Sequence, residues 1–175
     1  MATPLIGGLR AALLFLMDAG PRRTLLAADA QDPVTPRLHV IECHAQALAS
    51  LLARLYVAQV FLLSGLTKLR DWPSTLALFE DEYHVPLLSP ELAAYMGTAG
   101  ELVLPLLLAL GLGGRFAALG LSVVNVIAVL SLSEIAPAAL LGHQLWGALL
   151  MTLALWGAGP WSLDAWWAAR RAKRA

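Results

Sequence analysis

The chain has 175 residues, 59% of them hydrophobic and 14% charged, with a mean hydropathy of +0.70. That charge fraction lies well below the roughly 25% of an ordinary soluble domain, so the expected solvent is a bilayer rather than water. Twelve basic and twelve acidic residues balance to a formal net charge of +0, which excludes a global attraction to nucleic acid, and the single cysteine, Cys43, excludes an intrachain disulfide or a Cys-x-x-Cys redox pair.

Residues 1–20 carry a short apolar patch, Leu9 to Met17, interrupted by Arg10 and too short to span a bilayer. No basic residue precedes it and no small-x-small cleavage site closely follows, so it reads as an interfacial helix or a loosely ordered tail rather than a secretory signal. From Pro21 to Arg37 the sequence is polar, and Pro33 and Pro36 are expected to break any helix there. Residues 1–46 are thus read as an N-terminal extension, possessing at most an interfacial helix and a linker.

The first expected span runs from Leu48 to Lys68. Counting 100° per residue puts Arg54, Ala58, Phe61, Gly65 and Lys68 in one stripe, which should face other helices because small residues allow close approach and charges avoid lipid. Asp71 and Trp72-Pro73 then start a short surface helix ending near Glu82, and Ser89-Pro90-Glu91 supplies an N-cap, a first-turn proline and a dipole-compatible acid. The second span, Leu92 to Leu112, carries one ionisable residue, Glu101, near its middle. Gly97, Thr98, Glu101 and Pro105 share its polar face, and Pro105 frees the Glu101 carbonyl from its usual donor.

Gly113-Gly114-Arg115 allows only a tight turn, so the third span, Phe116 to Ser133, should return antiparallel beside the second, with Ser122 and Asn125 as an inward polar edge. A connection over residues 134–144 leads into a fourth span, Leu141 to Gly159, closed by Gly159-Pro160. Trp161, Trp166 and Trp167 suit a membrane interface. The fold class is therefore all-α: a polytopic membrane four-helix bundle over residues 47–167 with an N-terminal extension and a basic tail at 168–175. Arg10, Arg22, Arg23, Arg37, Arg54, Arg115, Arg170, Arg171, Lys173 and Arg174 fall on one side of such a bundle and only Lys68 and Arg70 on the other. This asymmetry places both termini in the cytoplasm of a bacterial-type inner membrane.

An ionised carboxylate in mid-bilayer costs about 2.5–3.5 kcal/mol on insertion scales, so Glu101 must be protonated, paired or facing a wet cavity. Arg54 lies about 9 Å into its helix from the cytoplasmic face and Glu101 about 15 Å from either face. Their gap of about 6 Å is within an arginine's reach. Lys68, at the outer end of its span, is better matched to Asp71, Glu91 or Glu134, so the expected partner of Glu101 is Arg54. The pair is either a register-fixing ion pair without chemistry or a site that exchanges a proton or hydrogen-bonds a quinone-like head group. Tyr56, Tyr95, Thr98, Asn125 and Gln59 are candidate further polar contacts, each more commonly a satisfied interhelical hydrogen bond. His39, Cys43 and His44 lack a fourth ligand, and His84 with His143 need not be neighbours, so no metal site is assigned. Walker, dinucleotide, Ser-His-Asp and HExxH signatures are absent.

Taken as a set, RLYVAQVFLLSGLTKLRDW from Arg54, GTAGELVLPLLLALGLGGR around Glu101 and the closing GAGPWSLDAW resemble the DoxX family of small four-helix membrane proteins, over roughly Leu51 to Trp167. Arg54, Lys68, Glu101 and Asp164 match its recurrent polar positions. The resemblance implies association with quinone reduction, redox-stress complexes, maturation of amine-oxidising systems, or handling of copper and metal-binding peptides. The first expectation is a redox-associated subunit binding a quinone-like amphiphile beside a partner that holds the redox centre, because this chain offers no flavin, haem or cluster motif. The alternative is a non-enzymatic scaffold or accessory factor for metal or metal-binding-peptide handling.

Overall fold

The computed structural model describes residues 35–174, so the Leu9–Met17 patch lies outside the described residues. Six helices follow in order among them: α1 (Thr35–Arg70), α2 (Trp72–Asp81), α3 (Pro90–Leu110), α4 (Gly114–Ser131), α5 (Pro137–Trp156) and α6 (Leu163–Ala172). Four are long and apolar enough to cross a membrane, over Ile41–Arg70, Pro90–Leu110, Gly114–Ser131 and Pro137–Trp156. The all-α four-span reading holds, with shifted boundaries. α1 begins at Thr35 inside the expected linker, because Pro36 falls in the first turn, where no intrahelical donor is lost. α4 stops at Ser131, and Pro137 restarts the chain in the first turn of α5 after five residues, so the connection is shorter than expected.

Local signals set the other ends. Asp71 caps α2 by accepting from the Ser74 amide and hydroxyl, which hold its carboxyl below the ordinary aspartate value. Ser89 accepts from the Leu92 amide to cap α3, and Gly111 ends that helix in the left-handed region at φ 67°. Pro105 is accommodated within α3, which continues unbroken to Leu110.

The long helices pack in the order α1, α3, α4, α5, with a looser seam where α5 meets α1. Their core is Val57 and Phe61 of α1, Leu108 of α3, Leu121 of α4 and Leu150 and Leu153 of α5. The expected inward stripe of α1 is borne out: Arg54, Ala58, Phe61 and Gly65 are buried and Lys68 is half-buried. The opposite faces carry exposed Leu52, Leu55, Leu63, Leu106, Val126 and Leu155, the apolar exterior that a bilayer requires. Close approach depends on glycine. A Cβ on Gly65 would stand 3.0 Å from Leu102 and 3.1 Å from the Glu101 Cβ, and one on Gly120 would stand 2.9 Å from Leu104.

α3 extends beyond the end of α1 in the direction of its own N-terminus. There α2 folds back over it, burying Phe79 against Ala93 and Ala94. The 82–89 loop is tied to the end of α4 by an isolated bridge between Tyr83 and Leu132 and by the His84 amide donating to the Ser131 carbonyl at 2.8 Å.

Candidate functional site

Lys68 with Glu101, and Arg54 with Arg115, sort to two levels of the bundle. At the level where α2 covers α3, Lys68 Nζ meets Glu101 Oε2 at 2.5 Å and also donates to Ser64 Oγ at 3.1 Å. The pair is largely withdrawn from solvent, with side chains 16% and 10% exposed. The expected Arg54–Glu101 pair is not formed. α1 and α3 cross tightly at Gly65, which brings Lys68, one turn later, beside Glu101 and leaves Arg54 about 21 Å lower along the helix. The depth estimate failed because it placed the end of α1 at the membrane face, whereas α3, α2 and the 82–89 loop continue past it.

Arg54 is fully buried at the other level, where its Nη2 donates to the Trp161 carbonyl at 2.7 Å. Around it the 111–115 turn and the 157–164 loop lock together. The Asp164 amide donates to the Gly111 carbonyl at 3.1 Å, and the Gly114 amide, at the open N-terminus of α4, donates to Asp164 Oδ2 at 3.2 Å. Ser50 Oγ donates to the Ala158 carbonyl, and Arg115 Nη2 to the Leu155 carbonyl. The glycine turn and the closing Gly-Pro-x-Ser-Leu-Asp segment thus serve as complementary halves of one joint, and the backbone groups they satisfy account for their residue types.

Above Lys68 and Glu101 lies a cavity of about 190 Å³. Its walls are Phe79, Tyr83, Val85 and Leu88 on the covering side, and Ala93, Met96, Gly97, Val123, Val124, Ile127, Ala128 and Ser131 from α3 and α4. Polar groups are few: an ammonium and a carboxylate at the base and, across from them on the covering side, the Tyr83 ring stacked on Phe79 at 5.0 Å. Burial foremost, then the negative charges of Glu101 and Glu82, pushes the Tyr83 phenol above its ordinary value. The neutral phenol is therefore favoured in the fold. Stability from this group is full below the unfolded value near 10 and is lost as pH rises through the folded value. Ultraviolet absorbance titration should show Tyr83 ionising later than free tyrosine, and Glu101→Gln should move that ionisation part of the way back. An unmoved titration in the Gln variant would place Tyr83 outside the field of Glu101.

The other expected polar residues lie elsewhere. Tyr56 and Gln59 sit on the exposed face of α1. Thr98 is buried beside a separate open recess lined by Leu69, Trp72, Tyr95 and Leu102, and its hydroxyl makes no hydrogen bond among the described residues. Asn125 joins α4 to α5: its amide donates to the His143 carbonyl at 2.9 Å, and its oxygen lies 2.8 Å from His143 Nδ1. His84 contacts the Glu82 carbonyl and His143 contacts Asn125, so each ring has a partner of its own. Among the described residues no three His, Cys, Asp or Glu side chains converge as a metal site. Tyr83 and Phe79 were missed in the sequence because nothing local shows that α2 folds back over α3. The available signal was an aromatic pair at four-residue spacing, Phe79 on the surface helix and Tyr83 just past its end.

Residues 49–134 match the family model described as DoxX, a segment that includes α1 from Ala49 through α4 and so contains the whole cavity wall. No curated protein matches the chain, and no solved structure does.

Proposed function

The chain belongs to the DoxX family through residues 49–134, and from that premise we propose that it is a redox-associated membrane subunit that binds a quinone-like amphiphile in the Lys68–Glu101 cavity. The observation carrying this reading is a small apolar cavity with an ion pair at its base and a phenol on the facing wall. A quinone head group is a flat apolar ring with two carbonyl acceptors. Lys68 has a donor to offer one of them, Tyr83 is a neutral hydroxyl on the opposite wall, and Glu101 can pass a proton at the base. The electrons would come from a partner protein holding the redox centre.

The basic residues support the expected orientation. Arg54, Arg115, the α6 residues Arg170 and Arg171, and Lys173 just past the end of α6 gather at the end opposite the cavity, which favours that end as cytoplasmic in a bacterial-type inner membrane. Arg170 stacks over Trp166 at 3.8 Å, in keeping with an interfacial position for α6. The cavity then opens at the outer half of the bilayer.

Titrating the purified chain with a tailed benzoquinone should quench tryptophan fluorescence saturably. Lys68→Met and Glu101→Gln should each weaken binding about tenfold or more, the equivalent of one hydrogen bond to a charged group. Absence of saturable quenching in the wild-type chain would refute the reading and leave the scaffold role in metal or peptide handling as the stronger alternative.

A further inference from the structure

The geometry points to a lateral portal between α3 and α4, lined by Met96, Val123 and Ile127, through which the lipid tail of a single-ring ligand lies in the bilayer while its head group occupies the Lys68–Glu101 cavity. This inference rests on the proposed binding reading and adds the class of ligand and its route.

Three features carry it. The first is size: about 190 Å³ is smaller than the roughly 300–1,000 Å³ of a site that encloses a whole drug-sized ligand. One ring fits, and a long tail must leave. The second is where the walls stop. α3 and α4 are in close contact at Gly120 against Leu104, and a Cβ on Gly100 would stand 3.2 Å from Val124. One turn further along α3, a Cβ on Gly97 would meet Phe79 of α2 at 3.6 Å, and Gly97 lines the cavity together with Ile127 and Ala128 of α4. Beyond Gly100 the cavity therefore takes the place of direct helix contact.

The third feature is which sides are closed. Toward the aqueous phase the cavity is roofed by Phe79, Tyr83, Val85 and Leu88, and the 82–89 loop is fastened to α4 through Ser131 and Leu132. Met96, Val123 and Ile127 line the cavity and are also 56%, 58% and 38% exposed on the outer surface of the two spans. They carry no charge and lie on helices long enough to cross a bilayer, so the surface they share with the cavity faces hydrocarbon. An apolar tail left there replaces lipid contacts at little cost, whereas a water-soluble ligand would have to cross the roof.

The experiment compares two probes in nanodiscs: a dimethoxy-methyl-benzoquinone without a tail and the same ring carrying a decyl tail. The wild-type chain is expected to bind the tailed probe more tightly. Met96→Trp and Ile127→Trp should weaken binding of the tailed probe about tenfold more than they weaken binding of the tail-less probe, since both line the cavity as well as the portal. Leu119→Trp, an exposed site on α4 away from the cavity, should change neither. Val123→Trp is a third portal variant, so that a variant failing to fold, as read by thermal unfolding, does not decide the outcome. If both probes bind the wild type but all folded portal variants keep tailed binding, or lose both probes equally, the portal is refuted and the binding reading stands. If neither probe binds the wild type, the binding reading itself is refuted and the portal falls with it.

Discussion

Lys68→Met is expected to destabilise the bundle by about 3 kcal/mol, because removing one partner of a largely buried ion pair leaves the other charge uncompensated in a low-dielectric site. Glu101→Gln should cost less, since the ammonium retains Ser64 Oγ and lies near the end of α1, where its flexible stem can turn outward. Combining the two removes both charges at once, so the double variant should recover part of the sum, with a coupling of about 2 kcal/mol. Arg54→Gln combined with Glu101→Gln should instead be additive within about 0.5 kcal/mol, because Arg54 lies about 21 Å along α1 from the Lys68 that pairs with Glu101. Denaturation by SDS in mixed micelles reads the three single and two double variants. Additive effects for Lys68 with Glu101, together with coupling between Arg54 and Glu101, would restore the pairing expected from helix depth.

The second large effect is at the joint opposite the cavity. An alanine at Gly111 meets two penalties. The left-handed backbone at φ 67° costs an L-residue about 1–2 kcal/mol, and the added Cβ collides with Arg54 Nη1 and stands 2.5 Å from the Ser162 Cβ, an overpacking of about 1–3 kcal/mol. Gly111→Ala should therefore lose about 2–5 kcal/mol in the same denaturation assay. Gly113 provides the comparison, because its φ is 54° but the nearest atom to an added Cβ is 3.9 Å away on Phe116. Gly113→Ala should lose only the backbone cost of about 1–2 kcal/mol. Equal losses at the two glycines would mean that the joint around Arg54 is loose rather than packed.

The two levels differ in kind. At the joint, Arg54 donates to a backbone carbonyl and the Asp164 carboxylate accepts from a backbone amide, which is the work of holding a turn and a loop together. At the cavity, Lys68 and Glu101 are paired with each other beside open volume. A quinone-binding defect should consequently follow Lys68 and Glu101 without loss of the joint, whereas Arg54 variants should act on stability first.

Much of the architecture was legible along the chain. The stripe from Arg54 to Lys68, the Ser89-Pro90 start of α3, the Asp71 cap of α2 and the glycine turn before Arg115 are local patterns, set by side-chain chemistry within one or two helical turns. Glu101 stood out for the same reason, as one carboxyl in an apolar run. Pro36 misled because a proline stops a helix in its interior and not in its first turn, and only the position of the helix start distinguishes the two.

By itself the sequence determined which segments are apolar enough to span, which face of the first two spans turns inward and which residues are too costly to leave in lipid, because these follow from composition and a 3.6-residue period. Only the tertiary structure decided how far each helix slides against its neighbour. That register comes from contacts between residues distant in the chain, Gly65 against Leu102, Gly111 against Arg54 and Phe79 against Ala93. It sets Lys68 rather than Arg54 beside Glu101, and it leaves a cavity above them where α3 has already parted from α4.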